Sequence, residues 1–167
     1  GVIAGLSSCG IALPPIIQSG DTDLIDRFAR PTFKGEMISA LGITEPGTGS
    51  DVAGVRTRAV RDGDDYVVNG SKMFITSGDH DLTENIMHLV LARVPGAPAG
   101  TRGLSIFLVP KFLFDSEGNS GARNDVYVTG IEEKMGIHAS ATSSLAMGSK
   151  GECEGILIGE EGQGMRI

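Results

Sequence analysis

The spacing of apolar positions changes once along the chain, near residue 37. Over residues 2–18 apolar side chains recur at close to helical spacing, with Ser7, Ser8 and Gln18 between them, which predicts a helix. Pro14 and Pro15 are expected to end or kink it. The stretch SGDTDLIDRFARP predicts a second helix. Asp21 or Thr22 caps its start, Leu24, Ile25 and Phe28 form its apolar stripe, and Pro31 stops it. From Met37 the pattern is that of strands. MISALGIT is a short apolar strand. VRTRAVRD alternates, with Val55, Thr57 and Ala59 on one face and Arg56, Arg58 and Val60 on the other. DGDD is a turn. YVVNGSKMFITS carries Asn69-Gly70 at its centre, a strong hairpin signal because a type I′ turn needs positive φ at both positions. NIMHLVLARV and GLSIFLVP are strands joined by the loop PGAPAGT. DSEGNSGARN reads as a long polar loop, and DVYVTGIEE, TSSLAM and CEGILIG as the remaining strands. The fold class expected is mainly β, an antiparallel β-barrel or sandwich preceded by one or two helices.

Composition narrows the function. A chain of 167 residues suggests about one domain, and 25 glycines with no G-X-Y period fit turn-rich β structure. The net charge of −7 argues against nucleic acid, whose partners carry a basic face. It leaves room for a small anionic ligand held by backbone N–H groups. Cys9 and Cys153 are far apart and form no CxxC pair, which speaks against a disulfide framework or a zinc site. Two buried thiols in a reducing compartment, the cytoplasm or an organelle matrix, is the expectation. His80, His88 and His138 have no metal-ligand spacing, so no metal site is expected. The apolar start lacks a basic n-region and a cleavage site, and Pro14-Pro15 interrupts it, so neither a signal peptide nor a membrane span is expected. With no initiator Met and an end at EEGQGMRI, the chain reads as an excerpt of a longer protein.

Two stretches could carry chemistry. In LGITEPGTGSD, the short donors Thr44, Thr48 and Ser50 and the N–H groups of Gly47 and Gly49 lie within seven residues. Neither G-x-G-x-x-G nor a P-loop lysine is present. In isolation the stretch is either a structural turn or a bare backbone that a flat ring or pyrophosphate can approach closely. Glu45 reads as a solvated or salt-bridged loop carboxylate. In NGSKMFITSG, alternation puts Phe74 and Thr76 on one face. They are either ordinary core or the edge of a site for a flat polycyclic ligand.

Taken together, ALGITEPGTGSDVAGVRTRAV, YVVNGSKMFITSG, EEKMGIHASATSS and ILIGEEGQGM occur in an order that resembles the flavin-binding middle domain of acyl-CoA dehydrogenases. The resemblance extends over essentially the whole chain. It implies a division into 1–36 (end of an N-terminal helical domain), 37–158 (β-barrel flavin domain) and 159–167 (start of a C-terminal helical domain). It also implies FAD as cofactor and an acyl-CoA thioester as substrate, desaturated at the α,β position by proton abstraction and hydride transfer to flavin N5. An electron-transfer acceptor and a homo-oligomeric state, dimer or tetramer, come with it. By the same resemblance Leu41, Ile43, Thr44, Gly49, Ser50, Phe74, Ile75 and Thr76 would contact the cofactor, and Ser50 also the substrate. Thr44 would lie near the pyrimidine edge and Thr76 near N5. The family's catalytic glutamate belongs to the C-terminal bundle, so no catalytic residue is assigned in this chain, and Glu45 would shape the loop. Three departures stand out. Phe74 replaces the usual Trp, His138 stands where Arg is common, and MGSK lacks the usual Phe-Asp or Phe-Glu. The second half is similar to a branch with long insertions that includes methylthiopropionyl-CoA dehydrogenases. Acyl-CoA oxidases and nitroalkane-oxidising enzymes share the scaffold, and a fragment without activity is a further alternative.

Overall fold

The computed structural model describes residues 10–115 and 117–166. Residues 2–9 of the helix expected over 2–18, Cys9 among them, lie outside these residues. What is described there is helix α1, Leu13–Ser19, and its prolines open it instead of ending it. The first N–H groups of a helix have no intrahelical acceptor, so Pro14 and Pro15 forfeit nothing in the first turn. Gly20 closes it in the left-handed conformation at φ 72°, its N–H on the Ile17 carbonyl.

The second helical segment starts where the pattern expects. The Asp21 carboxylate accepts from the N–H groups of Asp23 at 3.0 Å and Leu24 at 3.1 Å. Helix α2 (Thr22–Leu24) runs into a π-helical turn (Ile25–Ala29) and on through α3 (Arg30–Lys34) to Gly35. Pro31 therefore does not stop the helix. The wider π turn sits where the proline ring would otherwise meet the carbonyl four residues back, and the Thr32 hydroxyl donates to the Phe28 carbonyl at 2.7 Å. The exposed pairs Asp23–Arg27 and Asp26–Arg30 add only about 0.3–0.5 kcal/mol each. Attachment to the sheet comes from the buried stripe Leu24, Phe28 and Ala29.

The strands are β1 (Ile38–Gly42), β2 (Arg58–Asp62), β3 (Asp65–Thr76), β4 (Ile86–Arg93), β5 (Leu104–Pro110), β6 (Phe112–Phe114), β7 (Ser120–Arg123), β8 (Val126–Ile131), β9 (Thr142–Met147) and β10 (Glu154–Ile158). Strands β4, β5, β10, β3 and β2 pair in that order, and β2 returns to β4 through Arg58 and Arg93, closing a ring. Its pairings are antiparallel except that last one, and β1 joins the free part of β4 in parallel register from Ile38 with Ile86 to Gly42 with Val90. The expected mainly β, barrel-like fold after a helical lead-in is what forms, with these two parallel contacts added.

Strand β4 is buried along nearly its whole length, as a continuous apolar run requires. Its odd positions, Met87, Leu89 and Leu91, join Leu104, Ile106 and Leu108 of β5 and the helical residues Leu13, Ile16, Leu24 and Phe28 in one core. Its even positions Ile86, Val90 and Ala92 join Phe107, Val109, Tyr66 and Val68 in a second core inside the ring. The β4–β5 hairpin is thus the wall between helices and barrel.

Two expectations fail in the β region. Asn69-Gly70 is no turn: β3 runs straight through it, and the hairpin between β2 and β3 lies at Gly63, in the predicted DGDD turn. Gly70 is there for another reason, since a Cβ on it would lie 2.5 Å from Thr57 Oγ1 and 2.9 Å from Thr57 Cα. It is the point where β3 leaves β2 and begins to pair with β9. The stretch read as a long polar loop folds back as the β6–β7 hairpin, pairing Phe112 with Arg123 and Phe114 with Ser120.

Candidate functional site

The TEPGTG segment leaves β1 and turns sharply. Glu45 N–H donates to the Thr48 carbonyl at 2.9 Å and Thr48 N–H to the Glu45 carbonyl at 3.0 Å, with Pro46 and Gly47 at the corner. Proline presets the backbone angle that such a corner uses. Neither Gly47 nor Gly49 has a positive φ, and a Cβ on either would meet nothing within 4 Å. The fold itself does not require glycine at these two places. Their effect is a bare, open backbone surface beside the exposed Ser50.

Beneath the turn lies a charged pair that the sequence reading did not connect. Glu45 is only 6% exposed. Its carboxylate accepts from Arg56 N–H at 2.8 Å, Thr57 N–H at 3.0 Å, the Thr57 hydroxyl at 2.6 Å and Lys72 Nζ at 2.8 Å. Burial pushes the Glu45 carboxyl up, but the bonds from Lys72, Thr57 and Arg56 outweigh it, and its pKa lies below the ordinary carboxylate range. Lys72 sits on β3 and is buried; its three ammonium protons are used on Glu45, on the Ile43 carbonyl at 3.1 Å and on the Leu91 carbonyl at 2.7 Å. Burial lowers its pKa from the ordinary lysine value, with Glu45 pulling the other way. One signal could have found it. Tyr66 and Val68 face inward on β3, and Lys72 falls on the same parity, where a lysine must have a partner.

The second stretch meets the first directly, since Met73 N–H donates to the Thr44 carbonyl at 2.9 Å. Between Lys72 and Ile75 the β3–β9 register shifts by a bulge. Phe74, at φ 60°, is carried out of the ladder and stands 55% exposed. A left-handed backbone is an outlier for a bulky aromatic, and such outliers cluster where a side chain is aimed at a ligand. Thr76 is half-buried, whereas Ile75 packs into the barrel core at 2% exposure. Only the Ile75 backbone is left to face outward. Leu41 and Ile43 rest half-buried against the helix-side core, Thr44 is half-buried, and Gly49 and Ser50 are exposed. The fold brings the 41–50 and 74–76 stretches together; it does not bring the Ile75 side chain to the surface they share.

Other titratable residues lie elsewhere. His88, on β4, is fully enclosed, its ring nitrogens 3.0 Å from the Val109 carbonyl and 2.7 Å from the Gly78 carbonyl. It is a strand residue in the core of the barrel. Burial lowers its pKa, opposed by the two carbonyls. His138 is exposed. Cys153 is buried, and burial pushes its thiol up to about 12, so it is no nucleophile at neutral pH. Among the described residues no group of three His, Cys, Asp or Glu could hold a metal ion, and no helix is long and apolar enough to cross a membrane.

The barrel thus carries a bare glycine turn beside an outward-turned aromatic. The family model described as acyl-CoA dehydrogenase, middle domain, matches residues 40–149. The chain belongs to the acyl-CoA dehydrogenase family. It is 46% identical over 147 residues to a butyryl-CoA dehydrogenase of Syntrophomonas wolfei, covering 87% of this chain and 24% of that one. It is 45% identical over 174 residues to the 3-methylmercaptopropionyl-CoA dehydrogenase of Ruegeria pomeroyi, covering 98% of this chain and 29% of that one. The crystal structure of an acyl-CoA dehydrogenase from Geobacillus kaustophilus superposes with a TM-score of 0.73 at 33% identity, over 93% of this chain and 37% of that one. The chain therefore spans between a quarter and two fifths of the length of these relatives.

Proposed function

We propose that this chain is the flavin-facing β domain of an enzyme that desaturates an acyl-CoA thioester at the α,β position. The observation that carries the reading is the bond from Met73 N–H to the Thr44 carbonyl, which joins the glycine turn to the strand bearing Phe74 and Thr76. The wall has the chemistry to take the ring system and pyrophosphate of a flavin dinucleotide. Gly49 and Ser50 present open backbone and a hydroxyl, Phe74 a flat apolar face, and Thr44 and Thr76 half-buried hydroxyls. Leu41 and Ile43 back this surface from the core side, and Ile75 contributes backbone. FAD, when bound, supplies the hydride acceptor. The chain's own residues orient the ring, exclude water from one face and, through Ser50, meet the substrate where it passes the turn.

The base is not Glu45. All of its hydrogen bonds point inward, it is buried, and its lowered pKa makes it a poor proton acceptor. The base would come from outside residues 1–167, in keeping with a division into a helical lead-in (1–36), a flavin-binding barrel (37–158) and the start of a further helical domain (159–167). The acyl-CoA substrate, the electron-transfer acceptor and the homo-oligomeric state belong to that longer protein. The test is to purify the full-length protein carrying this chain. A flavin spectrum that survives gel filtration and bleaches with acyl-CoA supports the reading. A protein that retains no flavin when refolded with excess FAD refutes it. The isolated 167-residue chain is expected to bind FAD weakly and to turn over no acyl-CoA.

A further inference from the structure

A buried ion pair is an odd device if stability is all that is wanted. Replacing such a pair by apolar groups of equal volume is often neutral or stabilising, whereas orientation is a purpose apolar groups serve poorly. The Lys72–Glu45 pair touches four separate parts of the barrel. Lys72 lies on β3 and holds the Ile43 carbonyl at the end of β1 and the Leu91 carbonyl of β4. Glu45 holds the Arg56 and Thr57 amides on the approach to β2. What these bonds set, beyond the core, is the distance between the 43–48 turn and the bulge that carries Phe74, two residues beyond Lys72.

We propose that Lys72 and Glu45 are positioning residues of the flavin wall, fixing the glycine turn against the strand that presents Phe74 and Thr76. This rests on the flavin reading above. Neither residue touches the cofactor: both side chains are buried under the turn, and they act through the backbone of Thr44 and Met73.

The experiment compares Lys72→Met, Glu45→Gln and the double variant in the full-length protein. Three readouts are taken: unfolding midpoint, FAD dissociation constant with the visible circular dichroism of the bound flavin, and amide exchange of the FAD-free protein. Lys72→Met leaves a buried carboxylate unpaired and loses stability. The double variant carries no such charge and is expected to regain most of it. Positioning predicts that the double variant still binds FAD about tenfold more weakly, with an altered flavin dichroism. It also predicts that the Thr48 and Met73 amides exchange about tenfold faster than in wild type, while Val90 and Leu108 amides do not change. Flavin affinity and dichroism that return together with stability would overturn the inference, as would a double variant that stays as unstable as Lys72→Met. Wild-type protein that fails to bind FAD would sink the flavin reading alone. The amide exchange of the turn then still decides whether the pair positions it, and unchanged exchange there overturns the inference by itself.

Discussion

The 45–48 turn and residues 69–71 of β3 face each other across a cavity of about 400 Å³, and they use glycine in opposite ways. At Gly70 there is no room for a methyl group: the chain fills the place where Cβ would be with Thr57. At Gly47 and Gly49 there is room on every side, and no unusual backbone angle demands glycine. The first glycine serves the fold. The other two add chain entropy that folding must overcome and return nothing to packing, which is what a surface kept clear for something outside the chain looks like. Between them sits the Lys72–Glu45 pair, fully internal, which couples the tight region to the open one.

That contrast can be broken from the tight side first. Lys72→Met is expected to cost about 4 kcal/mol of unfolding free energy, because it strands a buried carboxylate; a loss near that of an exposed pair would mean that water reaches Glu45. Gly70→Ala is expected to cost about 2 kcal/mol by overpacking against Thr57, read from denaturant midpoints. A smaller effect follows from pH. The folded pKa of Glu45 is depressed, so the native state binds fewer protons than the unfolded chain between that value and the ordinary carboxyl value near ~4.3. Its contribution is present above the ordinary value and is lost as pH falls through the folded one. Glu45→Gln should therefore flatten the acid limb of the stability profile relative to wild type, and an identical limb would count against a charged Glu45.

Much of the tight region was legible in the sequence. Alternation put Val55, Thr57 and Ala59 on one face and Arg56, Arg58 and Val60 on the other, and the barrel buries the first face and exposes the second. What escaped was decided by tertiary neighbours. Asn69-Gly70 carries the local chemistry of a turn, but the need it meets is a close crossing with Thr57, thirteen residues earlier than Gly70 and invisible to local pattern. Pro14 and Pro15 read as ending or kinking a helix because proline has no N–H to donate back along it, yet in the first turn of a helix that donor has no acceptor to lose. Pro31 read the same way, and a π turn absorbed it. Ile75 was drawn to the wall with its neighbours, although alternation itself turns its side chain inward. Lys72 went unremarked because its partner, Glu45, lies twenty-seven residues away.

From the open side the effects on stability shrink toward zero, and the readout moves to the ligand. Phe74 pays for its left-handed backbone without gaining much burial. Phe74→Asn, a residue that tolerates this conformation, is expected to leave the fold unchanged or raise its stability by about 0.5–1 kcal/mol, while weakening FAD. Stability lost with the ring would instead mark Phe74 as a packing residue.

Gly49→Ala should do least to the fold and so speaks most directly about the site. The added methyl meets no atom of the chain, and alanine has less unfolded-state freedom to lose, so the midpoint should move by no more than about 0.5 kcal/mol, toward greater stability if at all. If the open surface is the place where the cofactor backbone approaches, the same methyl stands in that space, and FAD affinity should fall about tenfold in a protein whose stability has not fallen. A variant that keeps both stability and affinity would show that the space over Gly49 is merely solvent, and the distinction between the two kinds of glycine would then carry no functional meaning at this turn.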